Sequence, residues 1–171
     1  MRQMRKSSRQ IDTESALEIF DKAPFVTVSM TREDGTPYGI PLSLVRTDER
    51  TFYFHSALDG EKLDCIKTNP VVNLSAVTKC VPTVGPKDGS FTMQYRSAVA
   101  LGRAELVTNN EEKINALRAI CIRFLPKHMD AFDESIDRSL HRTAVVRITL
   151  TELPIGKHKE YDKDGNPIKS M

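Results

Sequence analysis

Between Phe54 and Pro70 the sequence reads FHSALDGEKLDCIKTNP, and three of its side chains could hold an anion. His55 and Ser56 end an apolar run, Gly60 follows in a turn, and Lys62 opens an amphipathic stretch that Pro70 closes. A helix N-terminus leaves backbone N–H groups unpaired and carries partial positive charge. A phosphate set there gains hydrogen bonds and charge compensation. Ser56 offers a hydroxyl before the turn, and Gly60 permits close backbone approach. Lys62 adds a full charge, and His55 can donate from either ring nitrogen. The run is neither a Walker loop nor a glycine-rich dinucleotide fingerprint. The same residues also suit an ordinary turn, with Asp59 as the helix cap, Lys62 in solvent and His55 half-buried at a strand end.

The elements around this turn follow from periodicity. DTESALEIFDKA (12–23) reads as a short helix capped by Asp12 or Thr13, with Leu17 and Phe20 on one face. PFVTVSM (24–30) alternates and puts Val26, Val28 and Met30 on one side. REDGTP is a hairpin turn with Asp-Gly at its centre. YGIPLSLV (38–45) alternates again, and Pro41 inside it demands an edge strand or a bulge. TFYFH (51–55) is a third strand, a helix covers roughly 59–69, and VVNLSAV (71–77) is a fourth strand. Residues 79–90, with two prolines and two glycines, read as a loop. The run 91–107 is long for one strand, and Gly102 suggests a bend or bulge in it. Thr108 and Glu111 stand at capping-box spacing before a helix carrying Ile114, Leu117, Cys121 and Phe124. Phe132, Ile136 and Leu140 form a further short helical stripe, and TAVVRITL (143–150) is a last strand. Consecutive hairpins and six strands with few helices predict a mainly β (α+β) fold, a small antiparallel barrel with flanking helices.

A chain of 171 residues, 39% hydrophobic and 28% charged, is an ordinary globular composition for one domain. We divide it into a basic arm (1–10, with Arg2, Arg5, Lys6 and Arg9), a barrel domain (11–152) and a polar tail (153–171). A net charge of +2 argues for neither a nucleic-acid nor a membrane partner. No apolar leader and no segment of spanning length is visible, so cytoplasm is the expected location. Cys65, Cys80 and Cys121 are odd in number and widely spaced, which predicts a reducing compartment, no disulfide framework and no metal site. Cys65 and Cys121 read as packing residues and Cys80 as exposed. His128, His141 and His158 have no partner pattern and read as surface residues. Tyr38 reads as a strand aromatic packing across the sheet.

Four stretches in order, DGTPYGIPLSLV, FYFHSALDGEKLDCIKTNPVV, YRSAVALGRAELV and HRTAVVRITL, resemble the flavin-binding split-barrel proteins of the pyridoxamine 5'-phosphate oxidase-like group. The branch they resemble most is the 5-nitroimidazole-reductase, or nitroimidazole-resistance, family, over roughly residues 5–150. The resemblance implies a six-stranded antiparallel split barrel and a homodimer with FMN at the subunit interface. It implies that Pro41, Leu42, Ser43 and Leu44 run beside the flavin ring, and that His55, Ser56 and Lys62 take the phosphate side. Tyr95, Arg96 and Ser97 match a strand that helps form the interface site. His55 also falls where relatives carry a histidine near the flavin, which gives it a role in substrate orientation or proton delivery. The arginine-rich motifs and the C-terminal substrate motif of true pyridoxamine-phosphate oxidases are missing, which argues against that activity. The tail matches nothing.

The expected function is therefore an FMN-dependent oxidoreductase that reduces a small electron-poor acceptor such as a 5-nitroimidazole. In such a protein the cofactor carries the chemistry, while the chain positions it and controls access. Two alternatives stand beside it. One is a split barrel holding deazaflavin or haem, with His55 or His128 as a ligand. The other is a flavin carrier or sensor without turnover.

Overall fold

The computed structural model describes residues 4–85, 89, 91–162 and 164–168. Arg2 of the basic arm, most of the centre of 79–90 and the last three residues fall outside them. A two-residue strand β1 (Gln10–Ile11) leads into α1 (Thr13–Lys22). Asp12 caps this helix, its carboxylate accepting from the Ser15 amide at 2.8 Å. Ala16, Leu17, Ile19 and Phe20 form its buried face, as i, i+1, i+3, i+4 spacing requires. β2 (Val26–Thr31) and β3 (Pro37–Leu42) form a hairpin, and Gly35 takes φ +82° in its turn. β4 (Val45–Arg46) pairs with β5 (Thr51–Ala57), and α2 (Glu61–Thr68) follows. β6 (Val71–Val84) and β7 (Phe91–Leu106) make one long hairpin. Then come α3 (Asn110–Phe124), α4 (Phe132–Ser139), β8 (Thr143–Leu150) and β9 (Ile155–Lys159).

All these pairings are antiparallel, in the order β3-β2-β6-β7-β8-β5-β4, with β9 joining β7 to β1. Six of the strands have six residues or more, the number expected for the barrel. The two ends of the order, β3 and β4, are not paired with each other. Only Ser43 and Leu44 separate them in the chain, so Leu42 and Val45 lie within about 11 Å of one another. The sheet must curl until its two edges face each other, and it stays open there. This is an α+β split barrel.

The interior is filled by Val26, Val28, Leu44, Phe52, Phe54, Val72, Leu74, Val146 and Ile148, with α1 and α2 closing over them. Phe20 meets Phe52 edge-on at 5.5 Å, an arrangement that adds to their burial. A second cluster, built on Val107, Leu117, Phe132 and Val145, holds α3 and α4 against the outer face of β5 and β8. Arg123 of α3 donates to the carbonyls of Phe20 and Ala23, both at 2.8 Å, and so ties α3 to the end of α1. Among the described residues no helix is long and apolar enough to cross a membrane.

Several sequence expectations shift. Residues 79–84 are strand, not loop, because β6 continues beside β7 as a two-stranded ribbon. Pro82 is tolerated there because β2 covers β6 only at Asn73–Ser75. The bulge falls between Val77 and Lys79 and not at Gly102. Gly102 marks a close approach instead: a Cβ there would lie 2.8 Å from Ile148 Cγ2 and 2.9 Å from the Thr149 carbonyl. The α3 cap is Asn109, accepting from the Glu112 amide, and not Thr108. The region expected as a polar tail supplies β9, and its buried His158 is not a surface residue. Cys65 is buried and Cys80 exposed, as their surroundings suggest.

Candidate functional site

The opening between β3 and β4 gathers several of the expected residues. β4 pairs with β5 as Val45↔Tyr53 and Arg46↔Phe52, and the ladder stops there. Continued by two residues, the same register lays Leu44 beside Phe54 and Ser43 beside His55. On its other side β5 pairs with β8 through to Ala57. The β4-facing edge of His55, Ser56 and Ala57 thus has no strand partner among the described residues, and its backbone polar groups face the gap. Leu44 is buried as the anchor of this turn, whereas Pro41 and Ser43 are exposed and Leu42 packs against the core. PLSL is therefore the segment that passes from one open edge to the other.

β5 alternates, and this separates His55 from Ser56. Phe52, Phe54 and Ser56 point inward, while Tyr53 and His55 share the outer face with the α3 side. The Ser56 hydroxyl is buried and has no hydrogen-bond partner among the described residues. Such a group costs free energy unless something pairs with it. His55 is exposed at its edge, yet partial burial lowers its pKa from the ordinary imidazole value.

The turn after β5 supplies the anion-binding features expected of it, with one change. Gly60, not Asp59, is the helix cap, at φ +139°, a conformation open only to glycine. No side chain caps α2. The Leu63 and Asp64 amides return to the Gly60 carbonyl, and those of Glu61 and Lys62 have no acceptor among the described residues. The Lys62 ammonium folds back to 3.9 Å from where a Gly60 Cβ would stand. Lys62 has no carboxylate partner among the described residues, whereas Glu61 is taken by Arg32 at 2.5 Å. The segment from Ser56 to Lys62 thus carries an orphaned hydroxyl, two amides and an ammonium that have no partner of these kinds among the described residues.

Tyr95, Arg96 and Ser97 do not join this group within one chain. They lie on β7 opposite β9, whereas His55 neighbours Val145, whose carbonyl accepts from the Val107 amide. Twelve residues of strand, about 40 Å along its length, separate Tyr95 from Val107. Tyr95 and Ser97 also face the side opposite to Arg96. Arg96, half-exposed, reaches Glu160, its Nε 2.6 Å from the carboxylate.

Glu160 is the centre of a cluster that sequence reasoning missed. It is 6% exposed and also accepts from Lys79 at 2.7 Å, while His158 Nδ1 lies 3.4 Å away. Burial pushes the Glu160 pKa up, but hydrogen bonds from Lys79 and Arg96, the Arg96 charge and His158 outweigh it and hold it at about 2. The signal in the sequence was faint: Gly156, His158 and Glu160 share a period-2 face inside a stretch that otherwise reads as polar.

Comparison with known proteins places this architecture. A Bacteroides thetaiotaomicron protein described as a candidate 5-nitroimidazole antibiotic resistance protein aligns over 86% of this chain and 85% of its own, at 22% identity and TM-score 0.73. The flavocytochrome Anf3 of Azotobacter vinelandii aligns over 98% of this chain and 74% of its own, at 20% identity and TM-score 0.79. The FAD and haem binding protein of Mycobacterium smegmatis aligns over 94% and 76%, at 20% identity and TM-score 0.78. At these identities the likeness concerns the fold. No curated protein matches in sequence. The profile of the pyridoxamine 5'-phosphate oxidase family matches residues 12–157, and the chain belongs to that family.

Proposed function

We propose that this protein binds a flavin, FMN by preference, at the open side of the barrel, and that it is an oxidoreductase for a small electron-poor acceptor. The observation that carries the reading is the orphaned Ser56 hydroxyl at the approach to the uncapped N-terminus of α2. Ser56, Lys62 and the amides of Glu61 and Lys62 would hold the phosphate. Pro41–Leu44 and the free edge of β5 would offer backbone hydrogen bonds to the ring, and His55 would face the substrate side. When bound, the flavin supplies the redox chemistry. The chain's own part is to hold the phosphate, fix the ring plane and orient an acceptor near His55. A depressed His55 pKa favours the neutral ring, which can accept or pass on a proton near neutral pH.

A homodimer accounts for two further features. Tyr95 and Ser97 are too far along β7 to reach the same chain's gap, so a second copy would bring them. The ribbon also exposes Val81, Val84 and Met93 together with Phe91, which is 94% exposed. An apolar surface of this kind marks a contact with another protein. Structural neighbours described as a flavocytochrome, an FAD and haem binding protein, a haem storage protein and an F420 reductase support the cofactor class. Activity on 5-nitroimidazoles rests on the B. thetaiotaomicron relative alone.

The test is an absorption spectrum of the purified protein, then FMN titration of wild type and Lys62→Ala. Flavin bands at one equivalent per chain are expected, since FMN, deazaflavin and haem absorb differently. The substitution removes a charge-assisted contact worth about 1.5–3 kcal/mol, and so weakens FMN roughly 10- to 150-fold. Unchanged affinity would remove the phosphate assignment. Reoxidation of the reduced protein by a nitroimidazole separates an enzyme from a carrier.

A further inference from the structure

A cavity of about 290 Å³ lies beside α1, over the face of β7 that carries Arg96 and away from the gap just described. Ile11, Ile19 and Ile168 give it apolar walls; its cations are Arg96 and Lys22, the latter paired with Glu18, and His158 is its imidazole. These two residues stand directly opposite each other on β7 and β9. Directly opposed residues hold their Cβ atoms about 4.5–5.5 Å apart. Lys79 stands opposite Arg96 on β6, so the three side chains form one row across three strands.

Glu160 fixes the chemistry of that row. It takes the Lys79 ammonium and the Arg96 Nε, leaving the two terminal guanidinium nitrogens without a hydrogen bond among the described residues. It also orients His158, which is 5% exposed and whose Nδ1 faces the carboxylate. With Nδ1 donating, Nε2 of the neutral ring is an acceptor. No hydrogen bond reaches Nε2 from the described residues. The cavity's acids are already engaged: both Asp12 oxygens accept from Ser15, and Glu18 pairs with Lys22 at 2.5 Å.

We propose that this cavity binds a small carboxylic acid that carries a hydrogen-bond donor on the adjacent carbon. Its carboxylate sits on the terminal nitrogens of Arg96, and its donor on Nε2 of His158. A fork of two parallel N–H donors suits a carboxylate. The spacing of two opposed residues on adjacent strands suits two groups on neighbouring carbons. The apolar walls accept a short hydrocarbon remainder. The donor is a hydroxyl or an ammonium. None of this depends on a flavin.

The experiment uses the full chain with ¹⁵N-labelled histidine, titrated with lactate, alanine and propionate while the His158 ring signals are followed by NMR. Propionate keeps the carboxylate and lacks the donor. We expect lactate or alanine to shift His158 saturably, and to bind about tenfold more tightly than propionate. Lactate alone would identify a hydroxy acid, alanine alone an amino acid, and both together the shared chemistry. Arg96→Lys keeps a cation for Glu160 and removes the fork, and binding should weaken about tenfold while the His158 signal stays in place. Equal binding of propionate, or no saturable His158 shift with any of the three acids, would overturn the proposal. The comparison of the three acids on the wild-type chain is decisive even if the variant misfolds.

Discussion

Ser56→Ala should move stability and cofactor affinity in opposite directions. The Ser56 hydroxyl is buried and unpaired in the protein alone. Leaving such a group unsatisfied costs about 1–3 kcal/mol. Alanine removes the oxygen, keeps the Cβ, and leaves only a small void. The cofactor-free variant should therefore be more stable than wild type by about 1 kcal/mol, after allowing for the lost packing. In a chain of this length that raises the thermal midpoint by roughly 2–4 °C. If the hydroxyl meets a phosphate, the same change removes a hydrogen bond to a charged group, worth about 1.5–3 kcal/mol. FMN affinity should then fall roughly 10- to 150-fold. The assay is thermal unfolding without flavin, paired with a fluorescence-quenching titration of FMN. A structural serine alone would give no loss of FMN affinity, and that result refutes the cradle. A less stable cofactor-free variant would show that the hydroxyl is satisfied and the reasoning wrong at its first step.

Two further substitutions test the frame around the sites. Gly156→Ala places a Cβ 2.4 Å from Ile11 Cγ1 and 2.7 Å from the Ala16 Cβ. Ile11 can rotate away but Ala16 belongs to α1, so unfolding should show a loss of about 1–3 kcal/mol; an unchanged midpoint would mean that α1 is free to lift from β9. Glu160→Gln should cost about 1–2 kcal/mol at pH 7, a figure discounted because Lys79 and Arg96 are partly solvated. The Glu160 pKa is held down, so its stabilisation is complete above its ordinary value of 4.5 and is lost as pH falls toward about 2. Denaturation across that window should show a flatter pH dependence in the variant, and parallel curves would place the charge outside the fold's energetics.

Much of this fold is legible because local rules and the barrel agree. Val26, Val28 and Met30 alternate with polar neighbours, and burial on one side of β2 follows. Pro41 demands an edge, and β3 is one. Phe132 and Ile136 announce α4's inner face. What was not legible depends on partners far along the chain. Lys79, Pro82 and Val84 look like loop because proline and glycine surround them, and only the pairing with Phe91–Arg96 makes them strand. Gly102 carries no local sign of Ile148, which lies 46 residues away and sets the need for a missing side chain.

The candidate site divides along the same line. Gly60, Lys62 and the uncapped start of α2 are neighbours in sequence, so their chemistry could be read before the fold was known. Ser56 and His55 are also neighbours, yet the strand sends them to opposite faces. Only the placement of Phe54 in the core and of Val145 under α3 decides which faces the barrel interior and which the α3 side. His158 shows the converse. Its sequence neighbours Lys157 and Lys159 alternate to the other face of β9, leaving Glu160 as its nearest same-face charge along the chain. It becomes a buried, oriented imidazole because β9 lies against β7 with Arg96 directly across from it. Residues that act through their own loop are visible in the sequence, whereas residues that act through a cross-strand partner become visible only when the strand order is known.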